Sequence, residues 1–332
     1  MPDRTSISIS HRKDADGVSS AALTRYVSGS KVYLTDYGDM SETLSQVGPA
    51  DDYYISDLGL NDNTFSGFYE QVKRLSSYGD VHYIDHHPLS ETFRTKLLEA
   101  GVDITHSVDE SASVLIFRKY EEAFRDSPQM KIAACCGAIT DYMDLQPYAK
   151  KIIADFDRQF LLYEATVLSF TISTVGRGTA ESNSHLIRIS EELAAGKLPH
   201  EIEGASEYAQ AHAARSAELI SLIRKNGKKV PSGNFAYYLT KEASTGNVAN
   251  FLIGGFAVPV GVAIREEEPG YYEISLRSHQ SSKHNLGEIV RKITLELSTS
   301  GGGHPHASGA RIKQTDLDRF LGMLDSALSI PA

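Results

Sequence analysis

Over its first 150 residues the chain alternates short β-rich runs with helical stretches, and polar side chains stand where the runs end. The runs lie at 5–10, 31–35, 52–56 and 81–84, with a fifth near 102–105, while Phe65, Phe68, Val72 and Leu75 recur at helical spacing between two of them. Consecutive parallel strands must be joined by a crossover, usually a helix, so this alternation predicts βα units and a mostly parallel sheet. In such open sheets the ligand crevice lies beyond the carboxyl ends of the strands. His11, Asp57 and Asp85 follow the first, third and fourth runs and are therefore expected to converge there.

From about residue 149 to 223 the pattern is helical, broken at 173–182, where Arg177 stands between two glycines, and at 196–199. β signals return at 235–240, 258–264 and 271–277, followed by a helical stretch at 285–297, the glycine-rich SGGGHPHASGA and a closing helix near 317–328. The expected architecture is α/β in three parts: a mostly parallel-sheet domain over 1–165, a helical connector over 166–227, and a smaller α/β domain over 228–332. The cleft between the domains is the expected site. A length of 332 residues is enough for two such cores.

No apolar run is long enough to span a membrane, and the N-terminus MPDRTSISIS carries no signal-peptide pattern. The only cysteines, Cys135 and Cys136, are neighbours, which suits a reducing compartment better than a structural disulfide. A soluble, cytoplasmic protein is expected. The net charge of −10 resides wholly in residues 1–165, with −1 over 166–227 and +1 over 228–332. A protein that tracks long nucleic acid by backbone charge is normally basic along its groove. Either the substrate is short, or bound cations reverse the local sign.

Four segments concentrate donor groups. HRKDADG at 11–17 sets His11, Asp14 and Asp16 on one tight loop. Carboxylates that close are unfavourable unless a cation lies beside them, although an aspartate there also suits a turn and a helix N-cap. Asp57 ends a β run. YIDHHPL places Asp85, His86 and His87 just past another, and imidazole with a neighbouring carboxylate is a frequent arrangement around divalent metals. Asp141 follows the apolar stretch of GAITDYMD.

In this order the segments resemble the DHH phosphoesterase superfamily, named for its Asp-His-His motif. GGGHPHASG at 301–309 is similar to the GGGHxxAAG signature of the associated DHHA1 domain, with Ser308 in place of an alanine, and SLRS at 275–278 resembles the Arg-Ser pair that precedes it. The compact H-x-x-D-x-D-G form looks like that of RecJ-like archaeal members. The resemblance implies a DHH domain, a helical connector and a DHHA1 domain, with two divalent ions in the cleft, usually Mn2+, with Mg2+ or Co2+ as alternatives. Carried over, His11, Asp14 and Asp57 hold one ion, Asp16, Asp57, His86 and Asp141 the other, and Asp57 bridges them. His87 is implied as a hydrogen-bond donor to the reacting phosphoryl group, with Asp85 orienting His86 or the adjacent backbone. Arg277, Ser278, Gly301, Gly302, Gly303 and His304 are implied to grip substrate phosphate.

The DHHA1 signature favours a nucleotide substrate over pyrophosphate, and the chain has no room for the extra nucleic-acid-binding domains of bacterial RecJ proteins. The expected function is a metal-dependent phosphodiesterase that cleaves short oligonucleotides or dinucleotide-type substrates to mononucleotides. A RecJ-like single-strand DNA or RNA exonuclease is the alternative within the enzyme class; a catalytically silent nucleotide-binding or replication-accessory protein is the alternative outside it. Expected partners are the short substrate, with a second copy of the chain or a replication protein left open, and no membrane.

Overall fold

The computed structural model describes residues 4–175, 179–242 and 244–330; Arg177 lies outside the described residues. The chain divides into two compact units, one ending at Ala213 and the other beginning at Ala214.

The first unit alternates β1 (Ser6–His11), α1 (Ala15–Ser28), β2 (Lys31–Thr35), α2 (Met40–Gln46), β3 (Asp52–Ser56), α3 (Asp62–Ser76), β4 (Asp80–Asp85), α4 (Glu91–Glu99) and β5 (Asp103–His106). Five helices follow: α5 (Ala112–Lys119), α6 (Pro128–Thr140), α7 (Pro147–Ile153), α8 (Arg158–Val175) and α9 (Ala180–Ala194). The strands are all parallel in the order β2-β1-β3-β4-β5. The strand order reverses between β1 and β3, so the topological switch point, where open α/β sheets hold ligands, lies at the ends of those two strands.

The strand β1 reads SISISH, and its period of two sorts the side chains. Ile7 and Ile9 enter a core with Leu44, Phe65, Phe68 and Val72. On the opposite face the Ser10 hydroxyl donates to the Gly17 carbonyl of α1 at 2.7 Å. A Cβ on Gly17 would run into the backbone of His11. Glycine thus lets α1 begin directly against the end of β1, which carries Asp14 and Asp16 back over His11.

Helices α8 and α9 contribute Leu161, Leu168, Ile172, Leu186, Ile189 and Leu193 to the same core as Val18 and Leu23 of α1 and Met130 of α6. The stretch 166–227, read above as a connector, is thereby divided. Its residues to Ala213 belong to the first unit, and the remainder of α10 (Ala205–Asn226) belongs to the second. Cys135 and Cys136 are free thiols buried in the first unit's core, where burial raises both pKa values above the usual range.

The second unit holds β6 (Lys228–Lys229), β7 (Phe235–Thr240), α11 (Thr245–Phe256), β8 (Val260–Glu268), β9 (Tyr271–Ser278), α12 (Leu286–Glu296), β10 (Ser300–Gly303), β11 (Ala307–Lys313) and α13 (Leu317–Leu328). Its sheet runs β10-β11-β9-β8-β7-β6, parallel only between β7 and β8. One core joins the sheet to α12 and α13, and another joins it to α11 and Ile223 of α10. No helix among the described residues is long and apolar enough to cross a membrane.

Candidate metal centre

All six donors read from the first four motifs lie in the first unit, where the structure brings them together. His11 ends β1, Asp57 follows β3 and Asp85 ends β4, with His86 next to it. Asp14 is the N-cap of α1 and accepts from the Gly17 N–H at 3.0 Å, so the capping and the site readings of this residue coincide. Asp141 is the C-cap of α6. The His11 Nδ1 atom lies 2.8 Å from Asp14 Oδ2 and 3.6 Å from Asp57 Oδ2. His86 Nε2 lies 3.3 Å from Asp57 Oδ1, 3.3 Å from Asp141 Oδ2 and 3.9 Å from Asp16 Oδ2.

Three overlapping groups of donors lie close enough to share an ion: His11, Asp14 and Asp57; Asp16, His86 and Asp141; and Asp57, His86 and His87; the first two comprise the donor sets implied by the motifs. Asp57 touches both, through Oδ2 toward the first and Oδ1 toward the second. It is buried, and its backbone sits at φ 55, a left-handed value uncommon for a non-glycine residue and concentrated at functional sites. The buried atoms His11 Nε2 and Asp57 Oδ2 have no hydrogen-bond partner. A buried polar atom left unpaired is costly, and imidazole and carboxylate are suitable donors for a divalent cation. The donor set therefore fits a metal.

Asp16 is held differently. Its carboxylate accepts from Ala112 N–H at 2.8 Å, Ser113 N–H at 3.1 Å and the Ser113 hydroxyl at 2.5 Å, all at the start of α5. These take three of about four lone-pair positions, leaving one for a cation.

The electrostatics record the crowding. Burial, then repulsion from Asp14 and Asp16, pushes the Asp57 carboxyl up to about 6. Desolvation, then Asp16, raises half-buried Asp141 to about 8. Burial opposes protonation of His86, but its hydrogen bond to Asp57 and the charges of Asp16 and Asp141 prevail and raise it to about 10. Burial likewise opposes the charged forms of His11 and Asp14, and their mutual attraction overrides it, raising the histidine and lowering the aspartate. The metal-free site thus holds protons at neutral pH that a cation must displace. Divalent metal uptake is expected to strengthen as pH rises from 6 to 8 and to release about one or more protons per chain. Calorimetry in buffers of different ionisation enthalpy measures this; uptake without proton release contradicts it.

Asp85 is fully buried and orients His87, not His86. Its Oδ1 faces His87 Nδ1 at 3.0 Å, and its Oδ2 accepts from the His87 backbone N–H at 3.2 Å and the Tyr83 hydroxyl at 2.9 Å. Burial works against its charge, yet the bond to His87 keeps the Asp85 carboxyl below its usual range. An ionised carboxylate only accepts, so Nδ1 carries the proton and Nε2 is left to face the Tyr37 hydroxyl at 3.3 Å. His87 also lies within 4.8 Å of the donors on Asp57 and His86. A Cβ on Gly59 would stand 2.7 Å from the His87 side chain, so the glycine leaves room for that ring.

Other residues escaped the sequence reading. Asp36, one residue past β2, lies 3.5 Å from His11 Nε2, and His106, which ends β5, meets the His87 carbonyl through Nε2 at 2.7 Å. Both stand at strand ends, the signal that had pointed to His11, Asp57 and Asp85.

The residues implied to grip phosphate lie in the second unit. Arg277 pairs with Ala307 across β9 and β11, and its guanidinium lies against Gly246 near the start of α11. Ser278 bonds His306 Nδ1 through its hydroxyl at 2.8 Å, and the His304 N–H donates to the Ala307 carbonyl at 2.8 Å. Gly301–Gly303, read above as a cradle for an anion, form the edge strand β10. Close packing asks for glycine here: Gly302 and Gly303 hold φ values of 148° and 144°, and a Cβ on Gly303 would stand 2.6 Å from the Ala307 carbonyl oxygen.

Comparison with known proteins matches residues 233–329 to the DHHA1 domain. No curated protein matches the chain. Among solved structures, the pGpG-specific phosphodiesterase PggH from Vibrio cholerae is similar, with a TM-score of 0.61 at 16% identity over 97% of this chain and 98% of its own. An exonuclease RecJ bound to manganese gives a TM-score of 0.62 at 15% identity over 99% and 91%. The DHH domain of a member of a ribosomal protein family gives 0.66 at 15% identity over 99% and 88%. Residues 233–329 thus match the DHHA1 domain, and the fold of the chain is similar to those of the DHH-domain and RecJ structures.

Proposed function

We propose that this protein is a metal-dependent phosphodiesterase acting on oligonucleotides a few residues long or on dinucleotide-type substrates. The observation that carries the reading is the pair of donor sets meeting at Asp57, with the buried His11 Nε2 and Asp57 Oδ2 atoms left without a hydrogen bond. In this reading His11, Asp14 and Asp57 hold one divalent cation, Asp16, Asp57, His86 and Asp141 a second, and manganese is the expected metal. Such cations, when bound, supply Lewis acidity toward a phosphoryl oxygen and ease deprotonation of water.

The chain's own residues do the rest. Asp85 fixes the His87 ring with the Nδ1 proton directed at its carboxylate, so Nε2 is the atom that gives or takes a proton at the phosphoryl group or the leaving oxygen. Burial raises the Tyr37 phenol to about 12, so it stays protonated, and its hydroxyl lies 3.3 Å from Nε2 until a substrate displaces it. Arg277, Ser278, His304 and the β10 glycines are proposed to engage substrate phosphate.

A substrate panel with Mn2+ tests the reading: a dinucleotide, 3′-phosphoadenosine 5′-phosphate, cyclic dinucleotides and strands of graded length. The expected result is mononucleotide release from dinucleotides and strands of a few residues, falling off for longer ones. Steady degradation beyond ~16 nucleotides, the upper site size for single-strand binders, selects the RecJ-like exonuclease instead. Nucleotide binding without any cleavage selects the catalytically silent alternative.

A further inference from the structure

We propose that the Tyr142 ring is a stacking platform for a nucleobase of the substrate, beside the metal centre. The inference rests on the phosphodiesterase reading and adds a base-binding subsite to it. Helix α6 ends in a Schellman turn, in which the Met143 N–H donates to the Ala138 carbonyl at 2.8 Å and the Tyr142 N–H to the Ile139 carbonyl at 3.3 Å. Tyr142 occupies the left-handed position of that turn, at φ 60. Glycine is the usual residue there, and a bulky side chain at positive φ is strained.

The side chain gives the fold nothing in return. It is 67% exposed, and among the described residues it has neither a side-chain hydrogen bond nor a ring partner. Strain kept without an internal contact points to an external one. The turn fixes the ring on the residue after Asp141, whose carboxylate is 3.3 Å from His86. Leu145, 77% exposed on the same loop, adds apolar surface. A phosphoryl group bound against Asp141 brings its nucleoside within one residue's reach of this ring. The chain has no tryptophan, so tyrosine is its best stacking face, and every base has a π face to offer.

The test compares Tyr142→Gly and Tyr142→Phe with wild type on a dinucleotide in Mn2+, reading KM, kcat and melting temperature. Glycine relieves the strain and removes the ring, so the melting temperature rises while KM increases ~5- to 150-fold, the range of one base–aromatic stack, and kcat holds. Phenylalanine keeps the wild-type KM. A Tyr142→Gly variant with unchanged KM overturns the stacking role while leaving the phosphodiesterase reading intact. A Tyr142→Phe variant as impaired as Tyr142→Gly overturns it too, since the hydroxyl and not the ring then makes the contact. If wild type cleaves no nucleotide substrate, the phosphodiesterase reading fails and the stacking role falls with it.

Discussion

Asp57→Asn is expected to abolish metal-dependent hydrolysis and, at the same time, to raise the melting temperature of the metal-free protein. Asparagine is among the few residues that tolerate the left-handed backbone found at φ 55, so the substitution leaves the turn after β3 in place. What it removes is a charge that burial and the neighbouring Asp14 and Asp16 disfavour. The carboxyl titrates near 6 in the folded protein against 3.8 for an ordinary aspartate. A raised acid pKa means that stability is fully present below the unfolded value and is lost as pH rises through the folded one. At pH 8 the ionised group therefore costs the metal-free protein roughly 3 kcal/mol. Relieving that cost shifts the melting temperature upward by several degrees. Loss of the shared donor lowers kcat/KM by ~10³-fold or more, about 4 kcal/mol of transition-state stabilisation. Thermal melts with EDTA and with Mn2+, run beside initial rates, read both effects. A variant that melts lower than wild type in EDTA, or one that still gains stability from Mn2+ as wild type does, contradicts the assignment of Asp57.

Asp85→Asn is expected to separate proton transfer from metal binding. Oδ2 of Asp85 accepts two donors, the Tyr83 hydroxyl and a backbone N–H that cannot turn away, whereas Oδ1 faces only His87 Nδ1. The amide nitrogen of the variant must therefore occupy the Oδ1 position. There it donates to Nδ1 and drives the His87 proton onto Nε2, the opposite tautomer. Turnover is expected to fall ~10²- to 10⁴-fold, the range for removing a general acid or base or fixing it in the wrong tautomer. Divalent cation affinity is expected to stay within a few-fold, because the Asp85 carboxylate hydrogen-bonds Tyr83 and His87 and none of His11, Asp14, Asp16, Asp57, His86 or Asp141. Rates and calorimetric metal titrations on the one variant decide it, and a parallel loss of both would make Asp85 a support of the metal site instead.

Much of this site could be read from the chain because its chemistry is local to strand ends. The runs ending near His11, Asp57 and Asp85 are parallel β strands, and a parallel sheet delivers the residues after its strands to one edge. The same logic, applied to every strand, would have included Asp36 and His106. Their single polar side chains carry no motif, and only the fold shows that they reach His11 and the His87 backbone. Of the two expected partners of Asp85, His86 or the adjacent backbone, the structure shows the backbone N–H of His87 and adds its ring in place of that of His86, a choice the sequence hides because adjacent histidines look equivalent. A contact between residues 85 and 87 depends on a turn in which the Asp85 carboxylate reaches both the ring and the backbone of His87. Helices α8 and α9 carry mixed apolar and polar faces suited to a connector, and only their packing on α1 and α6 assigns them to the first unit. The strand β10 was hidden because a run of glycines has no side-chain period to read, and its pairing with β11 is set by backbone alone.

The account stands on a pair of cations held at Asp57. Crystals of the protein saturated with Mn2+, measured for anomalous scattering at the manganese edge, test it most directly. The predicted result is two peaks in the first unit, one among His11, Asp14 and Asp57 and one among Asp16, His86 and Asp141. A single peak, or none within coordination distance of Asp57, would contradict it.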